Sequence, residues 1–254
     1  MTRQTRTALV TGGARRIGAA IALDLAAHGF AVAIHCNRSR EDAEALAAKI
    51  RIDGGNAAVV QADLTDMDAT GNVIAEATAL LGPIGLLVNS ASIFEDDSVT
   101  DFSWPLWDRH FALHVKAPVL LARCFAEALP ADQHGLVVNI VDQRVLRPTP
   151  RFFSYALSKS ALWDATRTMA LALAPRIRVN AIGPGPTLAN VRQSAADFDA
   201  QVAALILERG PNLAEFGTTI RYLFKTMSVT GQMIAIDGGQ HLAWQTPDVT
   251  GMQE

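Results

Sequence analysis

Cysteine is scarce in this chain of 254 residues: only Cys36 and Cys124 occur, in neither a CxxC nor a metal-ligand spacing. A disulfide scaffold and a thiolate metal site are therefore excluded. An excess of positive charge is also missing. The net charge of −3 argues against a nucleic acid or an anionic membrane as partner, since both call for a basic face. No apolar run is long enough to span a bilayer. Repeats, low-complexity segments and linkers are absent, so residues 1–254 are expected to form a single domain. The first seven residues lead directly into an apolar strand, without a signal-peptide pattern, and the expected location is the reducing cytoplasm. Half of the residues are hydrophobic, enough for a large α/β core.

Tyrosine and lysine are rare as well. Tyrosine occurs at 155 and 222, and lysine at 49, 116, 159 and 225. Tyr155 and Lys159 nevertheless stand four apart in a helical pattern that begins near Phe152, so they share one helix face. A free phenol titrates near ~10. A neighbouring ammonium is expected to lower that value toward neutrality, where general acid–base work is efficient. The alternative is an exposed lysine beside a half-buried tyrosine. The helix follows an apolar strand, Gly135 to Val141, with Asp142 at its carboxyl end and the loop Arg147-Pro148-Thr149-Pro150 after it. Asp142 is either a chemical group or an Asx-type cap.

The remaining chain alternates strands and helices. Thr7 to Thr11 reads as a strand, Gly12 to Gly18 as a glycine-rich turn, and Ala19 to His28 as a helix closed by Gly29. Ala31 to Ile34 is the second strand. This is the first βαβ unit of a doubly wound parallel sheet, and its turn suits a pyrophosphate at a helix N-terminus. The second strand ends without the acidic residue that would bind the ribose hydroxyls of NAD. Arg38, Ser39 and, from the first turn, Arg15 stand there instead, and their donors suit a 2′-phosphate, so NADP(H) is the expected cofactor. Ser39, ahead of Glu41 and Asp42, also looks like an N-cap. Further strands are expected at Ala57 to Gln61, Ile84 to Val88, Pro175 to Ile182 and Met233 to Ile236. Asp63 either accepts from an adenine amino group or caps the helix after Thr65. Phe94 either stacks on a planar ligand or belongs to the core. A long helix spans roughly Trp104 to Leu129, with His114 at its middle. The segment at about 186–226 is a candidate substrate lid, broken at Gly210-Pro211, and the tail 240–254 has no regular pattern.

The order of the glycine-rich turn, Asn89-Ser90-Ala91, Tyr155-x-x-x-Lys159, Pro184-Gly185 and Asp237-Gly238-Gly239 resembles the short-chain dehydrogenase/reductase family over about residues 5–240. The resemblance implies a single-domain Rossmann fold: an α/β, doubly wound, seven-stranded parallel sheet with helices on both faces. It also implies a homotetramer acting on a small molecule. Tyr155 would be the acid, and Lys159 would bind the ribose. The cofactor would lie along Gly12, Arg15, Arg16, Ile17, His35, Asn37, Arg38, Ser39, Asp63, Leu64, Asn89, Ser90, Ala91, Pro184 and Gly185.

Several positions depart from the usual family pattern. Arg16 replaces the second glycine of TGxxxGxG, and Asp142 stands near the usual catalytic serine. Ser92 ends the Asn-Asn-Ala-Gly counterpart, and His114 replaces the asparagine of the proton relay. Arg16, Ser92-Ile93-Phe94 and Asp142 resemble the pteridine reductase branch, which includes dihydromonapterin reductases. That branch implies a pterin stacked on Phe94, with Arg16, Ser92, Asp142 and Tyr155 around its polar edge. A carboxylate would repel the oxyanion of a ketone reduction but suits a ring bearing N–H groups. The expectation is thus an NADPH-dependent reduction of a dihydropterin C=N bond, with protons from Tyr155 or Asp142. Two alternatives stay open: a carbonyl or 3-oxoacyl thioester reductase in which Asp142 is incidental, and a non-catalytic sensor of NADPH or a pterin. No metal is called for.

Overall fold

The structure is a computed structural model that describes residues 4–189, 193–246 and 250. Strands β1 (Thr7–Val10), β2 (Ala31–Cys36), β3 (Asn56–Gln61), β4 (Leu86–Asn89), β5 (Gly135–Ile140), β6 (Ile177–Pro184) and β7 (Met233–Ile236) form one sheet, ordered β3-β2-β1-β4-β5-β6-β7. Every pairing is parallel. Both faces are covered, which is why these strands read as nearly continuous apolar runs. Residues alternate between the two cores as the pleat demands. Ala8, Val10, Val32, Ile34, Leu86, Val88, Leu136 and Val138 face one core, and Leu9, Ala33, Leu87 and Val137 face the other.

The first core is closed by helices α1 (Arg16–Ala27) and α2 (Arg40–Ile52). The second is closed by α3 (Met67–Leu81), α5 (Ala117–Ala128) and the Met169–Leu173 end of α6 (Phe153–Ala172). The chain reverses direction across the sheet between β1 and β4. Ligands of open α/β sheets bind at the carboxyl ends of strands beside such a reversal.

The long helix expected from Trp104 onward is one rod with a defect. It runs as α4 (Trp104–Phe111), a π-turn (Ala112–Lys116) and α5. Such turns accommodate an extra residue and often mark functional sites. His114 sits in this one.

The segment 186–226 also divides. Helix α7 (Ala195–Ala203) has no buried residue, as a lid would have. Helix α8 (Leu213–Lys225) belongs to the first core instead, through Phe216, Ile220, Leu223 and Phe224. It meets α1 where Arg221 Nε donates to Asp24 Oδ1 at 2.7 Å. A Cβ on Gly217 would lie 2.3 Å from the Asp24 carboxyl carbon, so glycine sets this helix contact. The candidate lid therefore excludes α8. The tail expected at 240–254 begins as a 3-10 turn, Gln240–Leu242. Residues 190–192 of the lid and 247–249 and 251–254 of the tail lie outside the described residues.

Candidate active site

A cleft of about 550 Å³ opens at the carboxyl ends of the central strands. Gly12, Arg15, Arg16, Ile17, Ser90, Ser92, Phe94, Asp142, Tyr155, Lys159, Pro184 and Gly185 all line it. The fold thus brings together residues more than 170 positions apart in the sequence.

The first turn is built for close approach. Gly12 has φ +60°, and a Cβ there would come within 2.8 Å of Ala91 Cα. Thr11 Oγ1 accepts from the N–H groups of Ser90 (2.9 Å) and Ala91 (3.1 Å), tying the end of β4 to the turn. The N-cap of α1, Arg15, makes no side-chain capping bond, and the helix has no acid in its first turn. An anion is welcome at such an end. Arg16 occupies φ +53°, the left-handed region glycine prefers. Its guanidinium donates to the carbonyls of Ala189 (3.0 Å) and Leu188 (3.1 Å), so it tethers the loop after β6.

Four residues expected to hold the cofactor are packed into the scaffold around the turn. His35 is buried. Its Nδ1 accepts from Gly12 N–H at 3.2 Å, and its Nε2 lies 3.1 Å from the Ala62 carbonyl. Its part is to brace the turn. Leu64 and Asn89 are buried. Asn89 Nδ2 donates to Asn139 Oδ1 at 2.8 Å, linking β4 to β5. Ala91 packs against the second core.

Asn37, Arg38, Ser39 and Asp63 gather outside the cleft, at the ends of β2 and β3. Ser39 occupies the N-cap position of α2 without a capping bond, so its hydroxyl is not spent there. Arg15 pairs with Asp42 at 2.6 Å, an exposed contact that a phosphate could displace. Asp63 forms an Asx turn with Thr65, which holds its carboxyl below the usual range. The following helix, α3, is capped by Asp66 rather than Asp63.

Burial lowers the His35 imidazole to about 4 from an ordinary 6.5. The folded protein therefore binds this proton less readily than the unfolded chain. Stability is full above pH 6.5 and falls as the pH drops toward 4, by about 3 kcal/mol at most for this one group. His114, lowered by burial in the same direction, adds to the slope. We expect His35→Asn, which keeps one donor and one acceptor, to flatten the decline measured by urea unfolding between pH 7 and pH 4.5. An unchanged decline would assign it to other groups.

The chemical centre joins β5, the turn after it and α6. Tyr155 Oη donates to Asp142 Oδ2 at 2.8 Å. Asp142 also caps the 3-10 turn Gln143–Val145, accepting from Arg144 N–H at 2.9 Å, so capping leaves its other oxygen in contact with the Tyr155 hydroxyl. Lys159 is buried, and its Nζ donates to the Ile140 carbonyl at 2.9 Å, 5.8 Å from the Tyr155 ring centre. The expected lowering of the Tyr155 phenol is overturned. Burial, and then the Asp142 carboxylate, hold it well above its ordinary value. Lys159 falls to about 8 through burial, with Asp142 opposing.

His114 bonds Ser158 through Nδ1 (2.8 Å) and Ser92 Oγ through Nε2 (3.0 Å). Ser158 Oγ in turn donates to the Tyr155 carbonyl. The histidine therefore pins the loop after β4 to α6 behind the tyrosine.

Phe94 lies edge-on to Tyr155 and stacks on Phe152, with ring centres 4.2 Å apart. Arg144, Phe198, Gln201 and Gln240 also line the cleft. No sequence motif singles these four out. Arg144 has one local signal, its place two residues after Asp142. No cluster of metal-ligating side chains is present among the described residues.

A glycine-rich first turn, an uncapped helix N-terminus and a buried Tyr–Lys pair at the sheet's reversal point fit a dinucleotide, and define a Rossmann-type oxidoreductase. The chain belongs to the short chain dehydrogenase family, whose sequence model matches residues 6–200. It is 59% identical to FolM alternative dihydrofolate reductase 1 of Brucella canis, solved in complex with NADP, with TM-score 0.95 over 98% of this chain and 99% of that one. The Brucella suis counterpart, also with NADP, is 60% identical with TM-score 0.95, over 98% of this chain and all of that one. A 3-oxoacyl-[acyl-carrier-protein] reductase FabG of Staphylococcus aureus is 29% identical, across 94% of this chain and 100% of that protein.

Proposed function

We propose that this protein is an NADPH-dependent reductase of a dihydropterin-type ring. The observation that carries the reading is the 2.8 Å contact between Tyr155 Oη and the Asp142 carboxylate, beside Phe94. A ketone reductase needs a neutral donor there, because a carboxylate opposes a developing oxyanion. A ring bearing N–H groups is instead held by Asp142 as acceptor. The Brucella relatives, named as alternative dihydrofolate reductases and complexed with NADP, support the same substrate class and cofactor.

Gly12 and the N-terminus of α1 would hold the pyrophosphate, Lys159 the nicotinamide ribose, and Arg38 and Ser39 the 2′-phosphate. When bound, NADPH supplies a hydride to the carbon of the C=N bond. The nitrogen takes a proton, which Tyr155 delivers. Its phenol, held above its ordinary range, stays protonated throughout the neutral range. The nitrogen that receives the bonding pair is a stronger base than a phenolate, so the transfer runs downhill. Asp142 accepts from the ring N–H groups, and Phe94 offers an aromatic face. His114 holds the Ser92 loop in register with α6.

The test is nicotinamide oxidation with NADPH and a dihydropterin, beside NADH and a 3-oxoacyl thioester. Turnover with the first pair is expected. Turnover with the thioester alone would establish the carbonyl reading that the Staphylococcus relative favours, and NADPH binding with no turnover would establish the sensor. We further expect Arg38→Ala to raise KM for NADPH about tenfold, the loss of a charge-assisted bond, while leaving KM for NADH unchanged. Equal effects on both would remove the 2′-phosphate role.

A cytoplasmic homotetramer is part of this proposal. Among the described residues, no helix is long and apolar enough to cross a membrane. An apolar groove between α5 and α6, lined by Val119, Ala122, Ala126, Met169 and Leu173, suits assembly. Light scattering that reads a monomer at micromolar concentration would overturn the tetramer.

A further inference from the structure

Arg144 is a charged side chain of the cleft that has no part in the scheme above. It follows Asp142 across a tight 3-10 turn, so both side chains leave the backbone toward the same space. Its Nη1 lies 3.2 Å from Asp142 Oδ2 and 3.4 Å from Oδ1. Its Nε and Nη2 donate to no described residue. The guanidinium carbon is 5.4 Å from the Phe94 ring centre and 5.3 Å from that of Phe152. That is within the range in which an aromatic face attracts a guanidinium, and two rings therefore fix its position. Phe152 keeps φ +55° at the start of α6, a left-handed conformation that is strained for a non-glycine residue. That conformation accompanies the placement of its ring against Phe94.

We infer that Arg144 is a substrate-positioning residue, which places hydrogen-bond donors beside the Asp142 acceptor and so selects a ring whose N–H groups adjoin a carbonyl. The inference rests on the dihydropterin reading and deepens it. Ionised Asp142 only accepts, and Arg144 only donates. Side by side they present an acceptor next to a donor. A 2-amino-4-oxo-pyrimidine edge is complementary, with amino and ring N–H donors followed by a carbonyl acceptor. A 2,4-diamino edge is not, because its second amino group would face the guanidinium with donor against donor. The Arg144 fork is planar and held against two rings, and a lysine ammonium would supply only a mobile point charge.

The experiment compares wild type, Arg144→Gln and Arg144→Lys, each loaded with NADPH. Four quantities are read: kcat and KM for the dihydropterin, Kd for NADPH, and the ratio of Kd values for a 2-amino-4-oxo- and a 2,4-diamino-pteridine that are not turned over. In Arg144→Gln we expect KM to rise about tenfold, as for loss of one bond to a charged group. The preference for the oxo ring should shrink by a similar factor, with NADPH binding within twofold of wild type. Arg144→Lys should restore only part of the preference. An unchanged preference in Arg144→Gln overturns the inference, even if KM rises, because Arg144 would then act only through Asp142. Wild-type turnover of the dihydropterin reports the proposed function separately. A wild type that binds neither pteridine removes both.

Discussion

Asp142→Ser is expected to lower kcat/KM for a dihydropterin by about 10²–10⁴-fold, because the ring N–H groups and the acid Tyr155 both lose their charged acceptor. The substitution isolates the chemistry. Serine is itself a good N-cap, so the 3-10 turn that Asp142 closes through Arg144 N–H should persist. What disappears is the carboxylate 2.8 Å from Tyr155 Oη. The Tyr155 phenol then loses both contributions of Asp142 to its raised pKa and keeps only that of burial. It moves back toward its ordinary range and gains a neutral hydroxyl as neighbour. That is the arrangement a carbonyl oxygen needs, so a small ketone or 3-oxoacyl thioester should become a better substrate than it is for wild type. NADPH affinity should stay within a few-fold, since Asp142 holds no part of the dinucleotide. Dihydropterin turnover within tenfold of wild type would reduce Asp142 to a turn cap.

Tyr155→Phe should cost a similar factor, about 10²–10⁴ in kcat, with KM little changed. The phenyl ring fills the same buried space beside Phe94 and His114, so folding should be preserved. Only the hydroxyl that donates to Asp142 is lost. The two variants share one proton-carrying contact, so Asp142→Ser with Tyr155→Phe should cost much less than the product of the single effects. Full multiplicativity would show that they act separately.

The pH profile supplies an independent check. A phenol held high stays protonated through the neutral range, so Tyr155 sets no limb there. Lys159 does, because its ammonium is lost as the pH rises through about 8. With its charge gone, the ribose loses its cationic partner, and kcat/KM for NADPH should fall above that pH in wild type and Tyr155→Phe alike. A wild-type profile flat to pH 10 would remove Lys159 from cofactor binding.

Much of the fold is set by local patterns. Doubly covered strands must be apolar on both faces, so all seven are visible as short apolar runs. Gly12 and Gly18 mark a turn whose packing leaves no room for a Cβ. Tyr155 and Lys159 meet because a helix brings positions four apart onto one face. The sequence by itself thus determined the order of strands and helices, the place of the cleft at their carboxyl ends, and the residues Asp142, Tyr155, Lys159 and Phe94 within it.

What the sequence could not determine depends on neighbours distant along the chain. The direction of the Tyr155 shift comes from burial and from a carboxylate delivered by another element, and an intrahelical lysine does not outweigh them. The role of His114 follows from Ser92 and Ser158, which only packing brings to its two nitrogens. Arg16 reaches carbonyls more than 170 residues away. Arg144 joins the site because a tight turn aims it beside Asp142, and α8 stands apart from the candidate lid because Gly217 lets it settle on Asp24. Periodicity and turn chemistry act over a few residues and can be read along the chain. Desolvation, charge compensation and hydrogen bonding at the cleft act through space, so only the tertiary structure decided them.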